Sequence, residues 1–247
     1  MDKSTRNVAL LCACQALLLV NNSVLITVNA LAGYALATNK SLATLPVTAY
    51  FLGSALAAFP VSMLMKRYGR RAGFSAGAAC GMTGALVCAT AMYIQSFWLL
   101  CAGTLVLGAY FASGQFYRFA AAETVPQGYK PRAISLVLAG GIVGGFVGPE
   151  TTKLTRTIIE GHLYAGPYFS LVGFALLTIV VVRWLDIPPL SAADSQGEGR
   201  PIGVIARQPA FIVAVLCGVV GYGVMNLLMT ATPLAMVACE HRHEMPL

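Results

Sequence analysis

Charge is the scarcest property of this sequence. Only 10% of its 247 residues are Asp, Glu, Lys or Arg, against roughly a quarter in a soluble domain, which excludes water as the solvent for most of the surface. The usual carriers of catalysis are missing too. No glycine-rich phosphate loop, Ser-His-Asp set or paired carboxylates occur on any aqueous segment, so an enzyme has no support. Metal-ligand spacing is also absent. Cys12, Cys14, Cys80, Cys88, Cys101 and Cys217 lie inside apolar runs as small packing residues, and Cys12 and Cys14 fall about 200° apart on a helix. The tail Cys239-Glu240-His241-Arg242-His243-Glu244 lacks the separated ligand pairs of a structural zinc site. Neither a metal nor a cofactor is expected. The formal charge of +7 does not point to nucleic acid, because Lys and Arg sit in short clusters between apolar runs and not on one face with interleaved aromatics.

What fills the chain is apolar residue, 57% of the total. It comes in runs from Val8 to Leu36, Leu45 to Met65, Ala72 to Ile94, Phe97 to Ala122, Ala133 to Thr152, Pro167 to Trp184 and Ala210 to Val237. Each is long enough to cross a hydrocarbon layer of about 30 Å at about 1.5 Å per residue. The first is too long for a signal-peptide core and continues into further spans. The expected fold is therefore an all-α integral membrane protein with the lipid bilayer as partner. One set of span ends holds Lys3, Arg6, Lys66, Arg67, Arg70, Arg71, Lys130, Arg132, Arg183, Arg200 and Arg207; the other holds Lys40, Lys153, Arg156 and Arg242. Eleven against four assigns the richer set, and the N-terminus, to the cytoplasm of a multi-pass inner or plasma membrane protein. Arg118, inside the fourth run, is the sixteenth basic residue.

The stretch Asp186 to Gln208 carries Pro188, Pro189, Gly197, Gly199 and Pro201 with Asp194 and Glu198, and reads as a polar linker. The expected organisation is a six-helix bundle over 1–185, a cytoplasmic linker over 186–208, and a seventh helix with a polar tail over 209–247. Span two has small residues before Phe59-Pro60, and span five has Gly140, Gly141, Gly144, Gly145 and Gly148 before Pro149. Each is second in a triplet, which suggests two three-helix repeats.

The segment Ser62-Met63-Leu64-Met65-Lys66-Arg67-Tyr68-Gly69-Arg70-Arg71 is similar to the loop signature Gly-x-Leu-Ala-Asp-Arg-x-Gly-Arg-Arg of the major facilitator superfamily, and Gly144-x-x-x-Gly148-Pro149 looks like that family's glycine-proline motif. The departures are Ser62 for the first glycine, Lys66 for the aspartate, Glu150-Thr151-Thr152-Lys153 where antiporters have a glycine pair, and Thr104 where proton-coupled efflux members have an arginine ahead of Gly108. The resemblance implies a six-helix transporter half-bundle plus a seventh transmembrane helix, from a transporter whose first, fourth and seventh helices line a central cavity. A full member has about five more helices, so this chain is expected to be a truncated or partial one. The resemblance also implies a gate built from Lys66, Arg67, Gly69, Arg70, Arg71, Gly144, Gly148 and Pro149. Glu123 stands where the family has an acidic partner for the loop arginines, and the alternative is an exposed pair of little worth.

Three polar stripes are candidates for solute contact. Gln15, Asn22 and Asn29 recur every seven residues in span one, within about 40° of each other; substrate contact and interhelical hydrogen bonding are equal readings. Phe111, Gln115 and Arg118 share one face of span four. Arg118 either snorkels to the aqueous edge or faces the cavity, where it would fork onto a carboxylate or phosphate. Tyr222, Asn226 and Thr230 recur at intervals of four in span seven, where packing against further helices competes. Glu150 pairs with Lys153 at i+3 or carries a coupling proton. The expected activity is secondary active transport of a small organic solute by alternating access; the alternative is a non-transporting membrane protein that acts through helix association.

Overall fold

A computed structural model describes residues 3–159, 164–187 and 202–238. Among them every regular element is helical, and seven helical stretches are long and apolar enough to cross a membrane. Most of the expected linker and the tail from Cys239 lie outside the described residues. Two compact units result, one holding the described residues up to Ile187 and one holding residues 202–238.

In the first unit, span one is α1 (Lys3–Leu36), span two α2 (Leu45–Tyr68) and span three α3 (Arg70–Tyr93), each continuous. Span four is two helices, α4 (Phe97–Gly114) and α5 (Tyr117–Glu123), and span five is also two, α6 (Lys130–Gly140) and α7 (Ile142–Thr155). Span six is α8 (Ala165–Arg183), entered through Tyr164 in a left-handed conformation, φ 75°. Outside the spans, burial pushes the Tyr164 hydroxyl above its ordinary pKa, and Arg156 opposes the shift.

Local chemistry accounts for several element ends. Asn39 accepts a hydrogen bond from the Ser41 N–H, and Ser96 caps α4 by accepting from the Leu99 N–H. Gly69 joins α2 to α3 at φ 87°, ψ 163°, a backbone state that side chains disfavour. The interruption of span five falls at Gly141, not at Pro149. There the chain tightens to three-residue hydrogen bonds, from the Gly141 N–H to the Leu138 carbonyl and from the Gly144 N–H to the Gly141 carbonyl, as consecutive glycines permit. Pro149 is carried inside α7. Span four is interrupted at Gln115 and Phe116, where the Phe116 N–H turns to the Ser113 carbonyl.

Packing relies on close approach, because lipid tails are as apolar as leucine and supply no hydrophobic drive between helices. A methyl group at Gly53 or Gly108 would collide with the facing backbone of span four or two. One at Gly144 would meet the Leu19 and Val20 backbone at 2.5 and 2.8 Å. Two buried clusters fill the unit. One groups Val24, Val28, Tyr50, Leu107, Phe111 and Tyr168; the other groups Leu11, Leu18, Met65, Phe74, Tyr110 and Tyr117. Spans one and four have 50% and 56% of their most apolar stretch buried, spans two and five 28% each, and spans three and six 50% and 44%. The pattern repeats every three helices, as two three-helix repeats require.

The second unit contains α9 (Ile202–Ala206) and α10 (Pro209–Ala238). The polar stripe of α10 is bonded along its own backbone: Asn226 Nδ2 donates to the Tyr222 carbonyl at 2.9 Å, and the Thr230 hydroxyl donates to the Asn226 carbonyl.

Candidate functional site

The polar stripe of span one meets different neighbours along its length. Asn29 is 1% exposed, and its Oδ1 accepts from the Tyr168 hydroxyl of span six at 2.6 Å, while its Nδ2 has no partner among the described residues. Asn22 is half-buried, and its Oδ1 accepts from the Tyr50 hydroxyl of span two at 2.9 Å. Gln15 is buried. Two neighbouring amides fall outside the seven-residue pattern. Asn21 donates to the Leu171 carbonyl at 3.4 Å, and Asn7 grips the end of span six by donating to the Asp186 carbonyl at 2.7 Å and accepting from the Asp186 N–H at 3.2 Å. Asn21 sits beside Asn22 in the sequence, and that adjacency was the available signal.

Beside the Asn22–Tyr50 pair stand two further aromatic rings. Tyr50 lies 5.2 Å from Phe51 and 5.6 Å from Phe111 between centroids, and Phe51 lies 6.3 Å from Phe111, edge to face. Phe51 is half-buried. Sequence reasoning picked Phe111 and Asn22 but missed Tyr50 and Phe51, because span two shows no polar periodicity.

In span four the interruption separates Gln115 from Arg118, so the two are not successive positions on one helix. Gln115 is half-buried at the break; Arg118 is half-buried on α5. Its guanidinium lies 5.0 Å from the Phe119 ring centroid, and its Nε, shielded from solvent, has no partner among the described residues. Tyr222 and Asn226 belong to the second unit, with Asn226 Oδ1 also unpartnered among the described residues.

At the ends of spans two to four, the turn at Gly69 delivers Arg70 to Glu123. Arg70 Nε donates to Oε2 at 3.1 Å and Nη2 to Oε1 at 2.5 Å, a two-pronged pair with side chains 16% and 36% exposed. Met65 Sδ, 3.7 Å from Nη1, and the Phe116 ring, 5.8 Å from the guanidinium carbon, shield the Arg70 side. Lys66, Arg67 and Arg71 are exposed and make no ion pair among the described residues. Gly144 and Gly148 press on span one at Leu19, Val20 and Ser23. Glu150 accepts from Lys153 at 2.8 Å, so its carboxylate has a partner one turn away.

Seven apolar helices and hydrogen-bonded amides inside them define a multi-pass membrane protein. The chain belongs to the Major Facilitator Superfamily, whose family pattern matches residues 11–239. It is similar to the riboflavin transporter RfnT of Brucella anthropi, with 37% identity over 96% of this chain and 60% of that protein. It is also similar to two MFS-type transporters of Bacillus subtilis: YddS, at 27% identity over 85% of this chain and 52% of that protein, and YdeG, at 28% over 89% and 54%. The chain thus spans between half and two thirds of the length of these relatives.

Proposed function

We propose that this chain forms the greater part of a secondary transporter that moves a small organic solute by alternating access, and that the solute is riboflavin or a similar flavin. The observation that carries the reading is the 37% identity to a riboflavin transporter along 96% of the chain. The wall made by Asn22, Tyr50, Phe51 and Phe111 supports it, since aromatic rings and an amide without a formal charge suit a neutral, planar, polar solute. Gln15, Gln115 and Arg118 complete the proposed path in the first unit, and Tyr222 and Asn226 are the proposed solute contacts of the second. Asn29 belongs to it as a support, because its side chain is sealed against Tyr168.

In this reading the N-terminus is cytoplasmic, and Arg70–Glu123 is a latch that holds the cytoplasmic gate. A cleft of about 630 Å³ lined by Ser4, Val8, Tyr129, Arg132 and Leu136 lies beside the start of α1 at that end. The Glu150–Lys153 pair supports a structural part for the Glu150 carboxylate. The test is uptake of radiolabelled riboflavin into vesicles containing the purified chain. Gradient-dependent accumulation is expected. Absence of both uptake and riboflavin binding would overturn the proposal in favour of a role through helix association.

A further inference from the structure

Two Tyr–Asn hydrogen bonds tie span one to its neighbours, and they differ in one respect. The Tyr168–Asn29 bond is sealed, with Asn29 1% exposed. The Tyr50–Asn22 bond has its tyrosine buried at 3% exposure but its asparagine only half-buried. An amide has one acceptor oxygen and one donor nitrogen on opposite sides. A tyrosine that donates to the oxygen therefore fixes which side the nitrogen presents. Tyr50 itself has little freedom: its ring is braced by Phe51 and Phe111, and its backbone carbonyl lies where span two crosses Gly108.

Resting on the flavin reading above, we infer that Tyr50 is a specificity-determining positioning residue: it holds the Asn22 amide with its NH2 group turned outward as a donor beside an aromatic shelf, so that this wall selects an uncharged planar heterocycle bearing a ring carbonyl. Phe51, half-buried, supplies the apolar face on which such a ring stacks, with the buried Phe111 bracing it edge to face, a contact that tolerates many ring types. Selection comes from the amide, because a solute without an acceptor there leaves the fixed donor unpaired once water is displaced. No charged side chain belongs to the pair or the shelf, so the wall does not compensate an ionic solute.

The experiment is a fluorescence-quenching titration of the purified full chain in lipid nanodiscs, with riboflavin and with analogues in which sulfur, a poorer acceptor, replaces either ring carbonyl oxygen. Wild type is expected to prefer riboflavin to one of these analogues by about tenfold, the loss of one good hydrogen bond. Tyr50→Phe is expected to reduce that preference to about threefold or less with the saturating quench unchanged, because the stacking rings remain. Asn22→Asp is expected to weaken riboflavin binding by about tenfold or more, and Tyr168→Phe is expected to leave the preference intact. Riboflavin binding with an undiminished preference in Tyr50→Phe overturns the inference and leaves the transporter reading standing. No riboflavin binding by wild type overturns the flavin reading and this inference together. Should Tyr50→Phe lose its fold, Asn22→Leu decides the matter: a retained preference overturns the inference, and a lost one supports it.

Discussion

The two three-helix repeats of the first unit both bury their middle span least, yet only the second repeat is broken. Spans one to three are single helices, whereas spans four and five restart at Gln115–Phe116 and at Gly141. Both breaks bear on one turn of α1: a side chain at Gly114 would strike Leu18, and one at Gly141 would strike Leu19. Between the breaks lie α5 and α6, packed on each other, with Glu123 at the end of α5 holding Arg70 of the first repeat. Common packing thus coexists with different mechanics. The first repeat supplies uninterrupted helices, and the second supplies a short helical elbow between two interruptions, packed on α1 and bound to the first repeat by an ion pair.

The close crossings are where the comparison is easiest to break. Gly108→Leu should destabilise the bundle most, by about 3 kcal/mol, because its side chain would meet the backbone of Tyr50 and Ser54 with no flexible group to yield. Gly144→Leu should cost a similar amount at the matching crossing of spans one and five. Gly145→Leu, which has open space around it, should be near neutral. Thermal unfolding in detergent measures all three, and a tolerated Gly108→Leu would show that the repeats do not cross as described.

Next in size is the contrast between the two tyrosines. Tyr168→Phe leaves Asn29 buried with neither end satisfied and should cost about 1.5 kcal/mol, near the upper end for hydrogen bonds between membrane helices. Tyr50→Phe should cost about 0.5 kcal/mol, since Asn22 keeps access to water. Equal losses in the same unfolding assay would refute the distinction between a sealed pair and an open one.

The breaks themselves make a dynamic prediction. The amides of Phe116, Gly141 and Gly144 should exchange hydrogen about tenfold faster than those at matching depth in spans one and two, because their bonds are the shortened three-residue kind. Exchange mass spectrometry in nanodiscs resolves these segments. Uniform protection along spans four and five would make the interruptions mere irregularities.

The sequence revealed the parts of this architecture that depend on composition and period. Apolar runs gave seven spans, and the arginine-rich turn with Glu123 identified a pair that the fold brings to hydrogen-bonding distance. Less was legible where geometry depends on neighbours. The glycine-rich run of span five does not say where the helix breaks: Pro149 is carried inside α7, and Gly145, one turn before it, has open space around it. The break went to the consecutive glycines instead. Spacing in span four placed Gln115 and Arg118 on one face, as a continuous helix would; nothing in the residues Gly114-Gln115-Phe116 announces an interruption set by packing against Leu18. Tyr50 and Phe51 were invisible for another reason: an aromatic in a membrane helix looks like lipid contact until a partner such as Asn22 is seen.

The smallest expected effect concerns the latch. Its side chains are 16% and 36% exposed, so Glu123→Gln should lower global stability by only about 0.5–1 kcal/mol after solvent screening. Its larger signature should be local. The ion pair and the buried Phe74–Tyr117 contact both hold the elbow beside the Gly69 turn, and removal of the ion pair should speed hydrogen exchange across α5 and α6 while leaving α2 and α3 as they were. The swapped pair Arg70→Glu with Glu123→Arg should restore slow exchange, and riboflavin uptake with it if the latch gates transport. Restored exchange without restored uptake would leave the pair a structural tie; unchanged exchange in Glu123→Gln would show that packing alone, and not charge, holds the elbow to the bundle.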